Sequence, residues 1–303
     1  MINSTLKKKL KDIFKDQVYF DAKLSDYNTW KVGGIADILF EPKTIKDLSI
    51  FLKNTITIDK TIVGNGSNIL IRDGGIRGSV ITFKNTLKEY KIIDEGEFYF
   101  EAGLTCMKIA NIVSKSKFGG LEFLSGIPGS LGGALAMNAG CYGKEIWEQI
   151  DQITTINYSG DIKEHDKSRY KYDYRKVDSR DDEFFIGAKF IKLKSNVDSE
   201  KIIKEYLKNR RETQPTGKLS CGSVFKNPEG HYAGELIENL GLKGFSIGDA
   251  EISKKHANFI INNSKATAED IESLILYIQE IVYKKLNIKL ETEVKFLGEK
   301  IYE

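Results

Sequence analysis

Eight glycines fall within the 25 residues from Gly119 to Gly143, where the chain average of 27 in 303 would place about two. Glycine loses more backbone freedom on folding than any other residue. Such density is kept where the chain must turn tightly or a neighbour must come closer than a side chain allows. The run reads Gly126-Ile127-Pro128-Gly129-Ser130-Leu131-Gly132-Gly133-Ala134 and continues through Met137-Asn138-Ala139-Gly140-Cys141-Tyr142-Gly143. Ser130 and Asn138 are its polar handles. Tight helix–sheet packing selects the same small residues, but the length of the run favours backbone approach to a pyrophosphate or a flat ring.

A second glycine loop, Val63-Gly64-Asn65-Gly66-Ser67-Asn68, sits between two apolar runs. Successive N–H groups in such a turn can form an anion nest, although a hairpin turn would use the same residues. It is not the Rossmann fingerprint, because Ile69 stands where the third glycine belongs and no helix is expected after it. Gly143-Lys144 is followed by Glu145, which excludes a Walker A loop. Two separate glycine loops suit an extended dinucleotide whose phosphates lie between them.

The rest of the composition narrows the class. With 29% charged and 41% hydrophobic residues the chain is globular, and its length suggests two domains or three small ones. Lysine plus arginine number 46 against 43 aspartates and glutamates, a net charge of +3. That near-balance argues against a nucleic-acid partner. No apolar run approaches the ~18 residues of a membrane span. The lysine-rich amphipathic stretch from Met1 to Gln17 lacks the apolar core of a signal peptide. Cys106, Cys141 and Cys221 are odd in number and widely spaced, which predicts neither a disulfide framework nor a metal site. A reduced, cytoplasmic protein is expected.

Periodicity places the elements. Strands are predicted at Ala36–Glu41, Thr61–Val63, Asn68–Ile71, Ser79–Phe83, Phe98–Glu101, Ile153–Tyr158 and Phe184–Leu193. Thr44 with Asp47 opens a helix that carries Ile45, Leu48, Phe51 and Leu52. A second helix runs through Met107, Ile109, Ala110 and Val113. Beyond a boundary near residue 195 follow helices at Glu200–Arg211 and Ala233–Leu240 and a strand at Ala257–Ile261. Thr267 with Asp270 then starts a long amphipathic helix bearing Ile271, Leu274, Ile275, Ile278, Ile281 and Val282. A last strand is predicted at Lys289–Leu297. Strands in quick succession indicate an α+β fold rather than a regular βαβ array.

Three further segments hold chemistry-bearing residues. In Tyr170-Lys171-Tyr172-Asp173-Tyr174-Arg175-Lys176 a guanidinium among tyrosines can grip a carboxylate; a solvated loop is the plainer reading. Ser220-Cys221-Gly222-Ser223-Val224-Phe225-Lys226-Asn227-Pro228 is not a nucleophile elbow, since Phe225 holds the last glycine position. Cys221 there reads as a small packed residue, and Ser223 as a hydroxyl that gives or takes a proton. In Leu290–Phe296, period-two alternation puts Glu291, Glu293 and Lys295 on one face, either solvated or lining a cleft.

Taken in order, Gly64–Asn68, Gly126–Gly143, Tyr172–Arg175, Arg210–Pro215, Gly222–Pro228, Lys255–Ile260 and Glu291–Phe296 resemble the UDP-N-acetylenolpyruvoylglucosamine reductases, over about Thr29 to Gly298. The short length is similar to the compact second type of that family. The resemblance implies an α+β fold, with a two-lobed FAD-binding domain of the vanillyl-alcohol-oxidase-like (PCMH) type plus an α+β substrate-binding domain. Residues 1–84 would form the first FAD lobe, 85–199 and 286–303 the second, and 200–285 the substrate domain, which revises the boundary near 195. FAD, held non-covalently, would contact Gly64, Asn65, Gly66, Ser67, Asn68, Gly129, Ser130, Gly132, Gly133, Asn138, Ala139, Gly140 and one arginine of the Arg210/Arg211 pair, taken as Arg211. Arg175, Ser223 and Glu293 would be catalytic, and Tyr142, Lys226, Asn227, His256 and Lys295 would hold substrate. The implied reaction uses NADPH to reduce FAD and then UDP-N-acetylglucosamine enolpyruvate to UDP-N-acetylmuramate in peptidoglycan synthesis, both ligands taking one pocket in turn. A monomer with a small-molecule substrate and no membrane insertion is expected.

Overall fold

In the computed structural model, which describes residues 2–180, 182–191, 193–195 and 198–301, the chain forms two compact units. The first comprises Met1–Phe20, Ile38–Asn65 and Gly78–Asn209; the second comprises Asp21–Asp37, Gly66–Arg77 and Arg210–Glu303. Met1 of the expected N-terminal stretch and Lys192 of the expected strand Phe184–Leu193 lie outside the described residues.

The first unit has two cores. One gathers Leu10, Phe14, Ile38, Phe40, Leu48, Phe51, Leu52 and Ile81, with Phe40 and Phe51 stacked at 4.0 Å between ring centroids. Leu10 and Phe14 come from helix Ser4–Phe14, the apolar face of the lysine-rich N-terminus. Helix Ile45–Asn54 begins with the expected capping box: Asp47 N–H donates to Thr44 Oγ1 at 3.0 Å, and Thr44 N–H to the Asp47 carboxylate at 3.1 Å. Strand Lys60–Val63 pairs in parallel with Ile76–Thr82, from Lys60 opposite Ser79 to Val63 opposite Thr82.

The other core of this unit lies on a five-stranded sheet in the order Ile162–Asp166, Ile150–Asn157, Glu183–Phe190, Glu97–Glu101, Tyr90–Asp94. Phe98, Phe100, Trp147, Ile153 and Phe190 are buried there beneath helix Cys106–Lys115. Tyr90–Asp94 and Ile162–Asp166, together with Val18–Lys23 elsewhere, are strands that the periodicity missed. The first two are the outer strands of their sheet. Every residue of Tyr90–Asp94 is exposed, so no buried face imprints an alternation on the sequence.

The second unit is built on helix Ala268–Leu286, which buries Ile271, Leu274, Ile275, Ile278 and Val282 against Trp30, Leu70, Val224, Ile237 and Ile252. Its capping box is also as expected, with Asp270 N–H on Thr267 Oγ1 at 3.0 Å. Asp73 adds a second acceptor for the first turn, taking the N–H groups of Ala268 and Glu269 at 3.2 and 3.1 Å. The expected strand Ala257–Ile261 is displaced to Ile260–Asn262, because Asn258 spends its polar groups on Val224 and Phe225 instead of on a ladder.

The expected strand Lys289–Leu297 is shorter than its alternation suggested. Only Lys295–Leu297 forms a strand, parallel to Ile69–Ile71, while Thr292 makes an isolated bridge with Phe225. Alternation survives in part of the burial: Leu290 and Val294 are buried, and Glu291 and Lys295 exposed. No described helix is long and apolar enough to cross a membrane.

Candidate active site

The two apolar runs around the first glycine loop do not form a hairpin. Lys60–Val63 pairs with Ile76–Thr82 and Ile69–Ile71 with Lys295–Leu297, so the loop joins strands of different sheets. This removes the hairpin-turn reading. Gly64 and Asn65 close the segment in the first unit; Gly66, Ser67 and Asn68 open the segment in the second.

In the first unit Gly64 faces the glycine block. A Cβ at Gly64 would stand 2.6 Å from Ser130 Oγ, so glycine is needed for that approach. Ser130 ends its extended segment at the start of the short helix Leu131–Ala136 but does not cap it with its hydroxyl. Ser130 Oγ and Asn65 Oδ1 are buried and have no hydrogen-bond partner among the described residues, as is also true of Ser125 Oγ. Leaving such an atom unsatisfied costs about 1–3 kcal/mol. A hydroxyl that can donate and an amide oxygen that can accept fit a ligand rich in phosphate oxygens and hydroxyls. Gly133 adds open backbone, since a Cβ there would meet only Ser130 Oγ, at 3.9 Å. These features fit FAD.

Other glycines of the block serve packing and turns. A Cβ at Gly132 would lie 3.0 Å from Ala102 Cβ, and one at Gly140 would lie 2.4 Å from the Lys144 carbonyl. Gly132 N–H donates to the Ala102 carbonyl at 2.8 Å, and the Gly129 carbonyl accepts from Cys106 N–H at 2.9 Å. Asn138, fully buried with φ +47°, uses its side chain inside the unit. Its amide donates to Glu145 Oε2 at 2.6 Å and to the Asp173 carbonyl at 3.1 Å, and its oxygen accepts from Trp147 N–H. Ala139 N–H is engaged by the Ala134 carbonyl.

Those bonds tether the Arg175 turn. Arg175 lies between the paired dipeptides Tyr172–Asp173 and Lys176–Val177 with φ +55°. Its Nη2 donates to the Gly140 carbonyl at 2.9 Å, and its guanidinium sits 4.8 Å from the Tyr174 ring centroid. Tyr142, also at positive φ (+54°), is partly exposed, its ring stacked on Tyr206.

The second unit brings Ser223 and Glu293 onto two joined segments. Gly222, at φ +74°, turns the chain into Ser223. The next carbonyl, that of Val224, accepts from Glu293 N–H at 2.8 Å and from Val294 N–H at 3.3 Å, while Lys226 N–H donates to the Glu291 carbonyl at 2.9 Å. Asn68 joins the same group: its amide donates to the Glu293 carbonyl at 3.1 Å, and its carbonyl accepts from Lys295 N–H at 3.1 Å. Gly66 and Ser67 precede it, and a Cβ at Gly66 would fall 2.1 Å from the Tyr27 carbonyl oxygen.

The remaining expected residues are placed as follows. Lys226 pairs with Glu291 at 3.3 Å. Asn227 Oδ1 accepts from Ala233 N–H at 3.1 Å, at the start of helix Ala233–Asn239. His256 packs over Gly234, and burial, with Lys243 nearby, holds its imidazole below the ordinary range. Arg210 Nε is held by Gln214 at 3.1 Å. Arg211 is exposed, and its carbonyl accepts from Lys255 Nζ. Cys221 is buried, which pushes its thiol up and away from nucleophilic use.

One organising residue was missed. Asn258, buried inside the Lys255–Ile260 motif, clamps the segment after Ser223: Phe225 N–H donates to its Oδ1 and its amide donates to the Phe225 carbonyl, both at 2.9 Å. The motif itself was visible in sequence, but nothing there assigned Asn258 a partner.

Residues 214–297 match the family model described as UDP-N-acetylenolpyruvoylglucosamine reductase, C-terminal domain, and residues 36–166 match an FAD binding domain. The UDP-N-acetylenolpyruvoylglucosamine reductase of Legionella pneumophila is 43% identical over 284 residues, covering 92% of each chain. That of Coxiella burnetii is 41% identical over 305 residues, covering 94% of this chain and 96% of its own. The crystal structure of the Thermus caldophilus enzyme superposes with a TM-score of 0.76 at 30% identity, covering 93% of this chain and 98% of that one. The fold is therefore α+β, with an FAD-binding domain and the C-terminal domain of the reductases. With relatives above 40% identity along nearly their whole length, the chain belongs to the UDP-N-acetylenolpyruvoylglucosamine reductase family.

Proposed function

We propose that this protein reduces UDP-N-acetylglucosamine enolpyruvate to UDP-N-acetylmuramate for peptidoglycan synthesis, with FAD as cofactor and NADPH as reductant. The observation that carries the reading is the 43% identity spanning 92% of both chains. Residues 200–285 are assigned to substrate, in keeping with the C-terminal domain match at 214–297. The enzyme is taken to work as a cytoplasmic monomer.

When bound and reduced by NADPH, FAD would supply a hydride for C3 of the enolpyruvyl group. Gly64, Asn65, Ser130 and Gly133 would hold the cofactor through the orphaned oxygens and open backbone described above. The double bond is conjugated only to a carboxylate, so hydride addition drives negative charge onto C2 and that carboxylate. Arg175 would stabilise this charge, with Glu293 as its protonated, hydrogen-bonding partner; removing one such preorganised group costs roughly 3–4 kcal/mol. Ser223 would give its proton to C2, completing the single bond, and recover a proton from solvent. General-acid assistance of this kind is worth roughly 10²–10⁴ in rate.

The test is an anaerobic titration. NADPH should bleach the flavin absorbance, and one equivalent of the enolpyruvyl sugar nucleotide should restore it. A flavin that stays bleached after that addition would overturn the assignment of substrate.

A further inference from the structure

Tyr142, which the family resemblance places against substrate, does not stand alone. Its ring lies 3.8 Å from that of Tyr206, centroid to centroid, with the planes 4° apart. Its hydroxyl donates to the backbone carbonyl of Tyr206 at 2.8 Å. Gly126 also borders the ring: a Cβ there would come within 2.8 Å of Tyr142 Cε2. The ring is therefore packed against a parallel aromatic and closely approached by a glycine. This packing holds a residue whose backbone, at φ +54°, is in a conformation that tyrosine rarely adopts.

The Gly126 segment and the helix that carries Tyr206 are tied together. Glu122 accepts the Gly120 N–H on its two oxygens at 2.9 and 3.0 Å, and the Ser199 hydroxyl at 2.6 Å. Ser199 is the first residue of helix Ser199–Thr213. Seven residues on, about two helical turns, the helix presents Tyr206, after burying Ile203 in the core. Glu122 thus ties the start of this helix to the stretch that ends in Gly126. The two stacked tyrosines stand at the surface and not in the core, with Tyr142 37% exposed.

We infer that Tyr206 is a positioning residue for the reductase reaction: it holds the Tyr142 ring in the orientation that receives the sugar-nucleotide substrate. The inference rests on the reading of this protein as the reductase and of Tyr142 as a substrate contact. A pre-oriented ring spares the complex the cost of ordering that side chain on binding. Its loss should therefore appear in KM for the sugar nucleotide, not in the chemical step.

The experiment compares holoenzymes of Tyr142→Ala, Tyr206→Ala, Tyr206→Leu, Tyr206→Phe and the Tyr142→Ala/Tyr206→Ala pair. Each is assayed by NADPH oxidation against UDP-N-acetylglucosamine enolpyruvate. Tyr206→Ala and Tyr206→Leu should raise KM roughly three- to tenfold, the scale of a lost aromatic pair, with kcat within about twofold. Tyr206→Phe should restore KM, because the hydrogen bond from Tyr142 goes to the backbone. The double variant should be no worse than Tyr142→Ala alone. Leucine fills the space without an aromatic face, so it keeps the test open should the alanine variant fail to retain flavin. If Tyr142→Ala raises KM but neither Tyr206→Ala nor Tyr206→Leu does, or if they lower it, the positioning role is wrong. If Tyr142→Ala leaves KM unchanged, Tyr142 is no substrate contact and the inference falls with that assignment. Absence of any turnover on this substrate would instead reject the reductase reading itself.

Discussion

The hydroxyl of Ser130 lies 2.6 Å from the place that a Gly64 Cβ would occupy. Two glycine-rich segments about 65 residues apart in sequence thus meet at one point, and the hydroxyl there has no partner among the described residues. Gly64→Ala should force Ser130 aside and yield folded protein with little flavin, read as the ratio of flavin to protein absorbance after purification. Ser130→Ala should keep the fold and weaken FAD binding roughly ten- to hundredfold, the loss expected for a hydrogen bond to a charged phosphate. Full flavin occupancy in Gly64→Ala would separate this loop from the cofactor.

Ser223 and Glu293 are neighbours because the Val224 carbonyl takes the Glu293 N–H at 2.8 Å. If Ser223 is the proton donor, Ser223→Ala should leave the reduction of flavin by NADPH near normal. Reoxidation by the enolpyruvyl substrate should slow by roughly 10²–10⁴. Stopped-flow measurement of the two half-reactions checks this, and an equal fall in both would remove the proton-donor role.

Asn258 holds that segment from the other side. Asn258→Ala would leave Phe225 N–H and its carbonyl without their buried partner, lowering stability by roughly 1–3 kcal/mol. It should also loosen Ser223, so the second half-reaction slows while flavin reduction by NADPH does not. Denaturation midpoints and stopped-flow traces on the same preparation separate the two effects. Asn258→Asp keeps the acceptor for Phe225 N–H but loses the donor, and should fall between alanine and the parent.

What the sequence made legible follows from how local each signal is. Both capping boxes, at Thr44 and at Thr267, were readable because their partners lie three residues apart. The pairing of Ser223 with Glu293 was invisible to spacing alone, since it depends on a backbone bond between Val224 and Glu293, 69 positions apart; only the family resemblance named both. Tyr90–Asp94 escaped because an outer strand with no buried residue has no pattern to show. Within the glycine block the sequence does not separate tasks: a Cβ at Gly132 or Gly140 would meet neighbouring atoms of the fold, and the Asn138 side chain makes internal bonds. Small residues look alike in sequence whether they admit a ligand or a neighbouring strand.

The second unit also carries a buried charge cluster with a definite pH signature. Glu272, 5% exposed, accepts from Arg72 Nε at 2.9 Å and Nη2 at 3.1 Å, and from Lys300 Nζ at 3.0 Å. Burial alone would raise its pKa, but the hydrogen bonds and charges of Arg72 and Lys300 prevail and hold it below the ordinary 4.5. A carboxyl whose folded pKa is depressed adds stability that is complete above its unfolded value and is lost as pH falls through the folded one. Glu272→Gln should therefore destabilise the protein at neutral pH by roughly 3 kcal/mol, since it leaves Arg72 and Lys300 without their carboxylate. The gap between variant and parent should narrow as pH drops below 4.5, where the parent's own carboxyl is progressively protonated. Thermal unfolding of both proteins across that range decides the matter: a gap that does not change with pH would mean that Glu272 acts through packing and not through its charge.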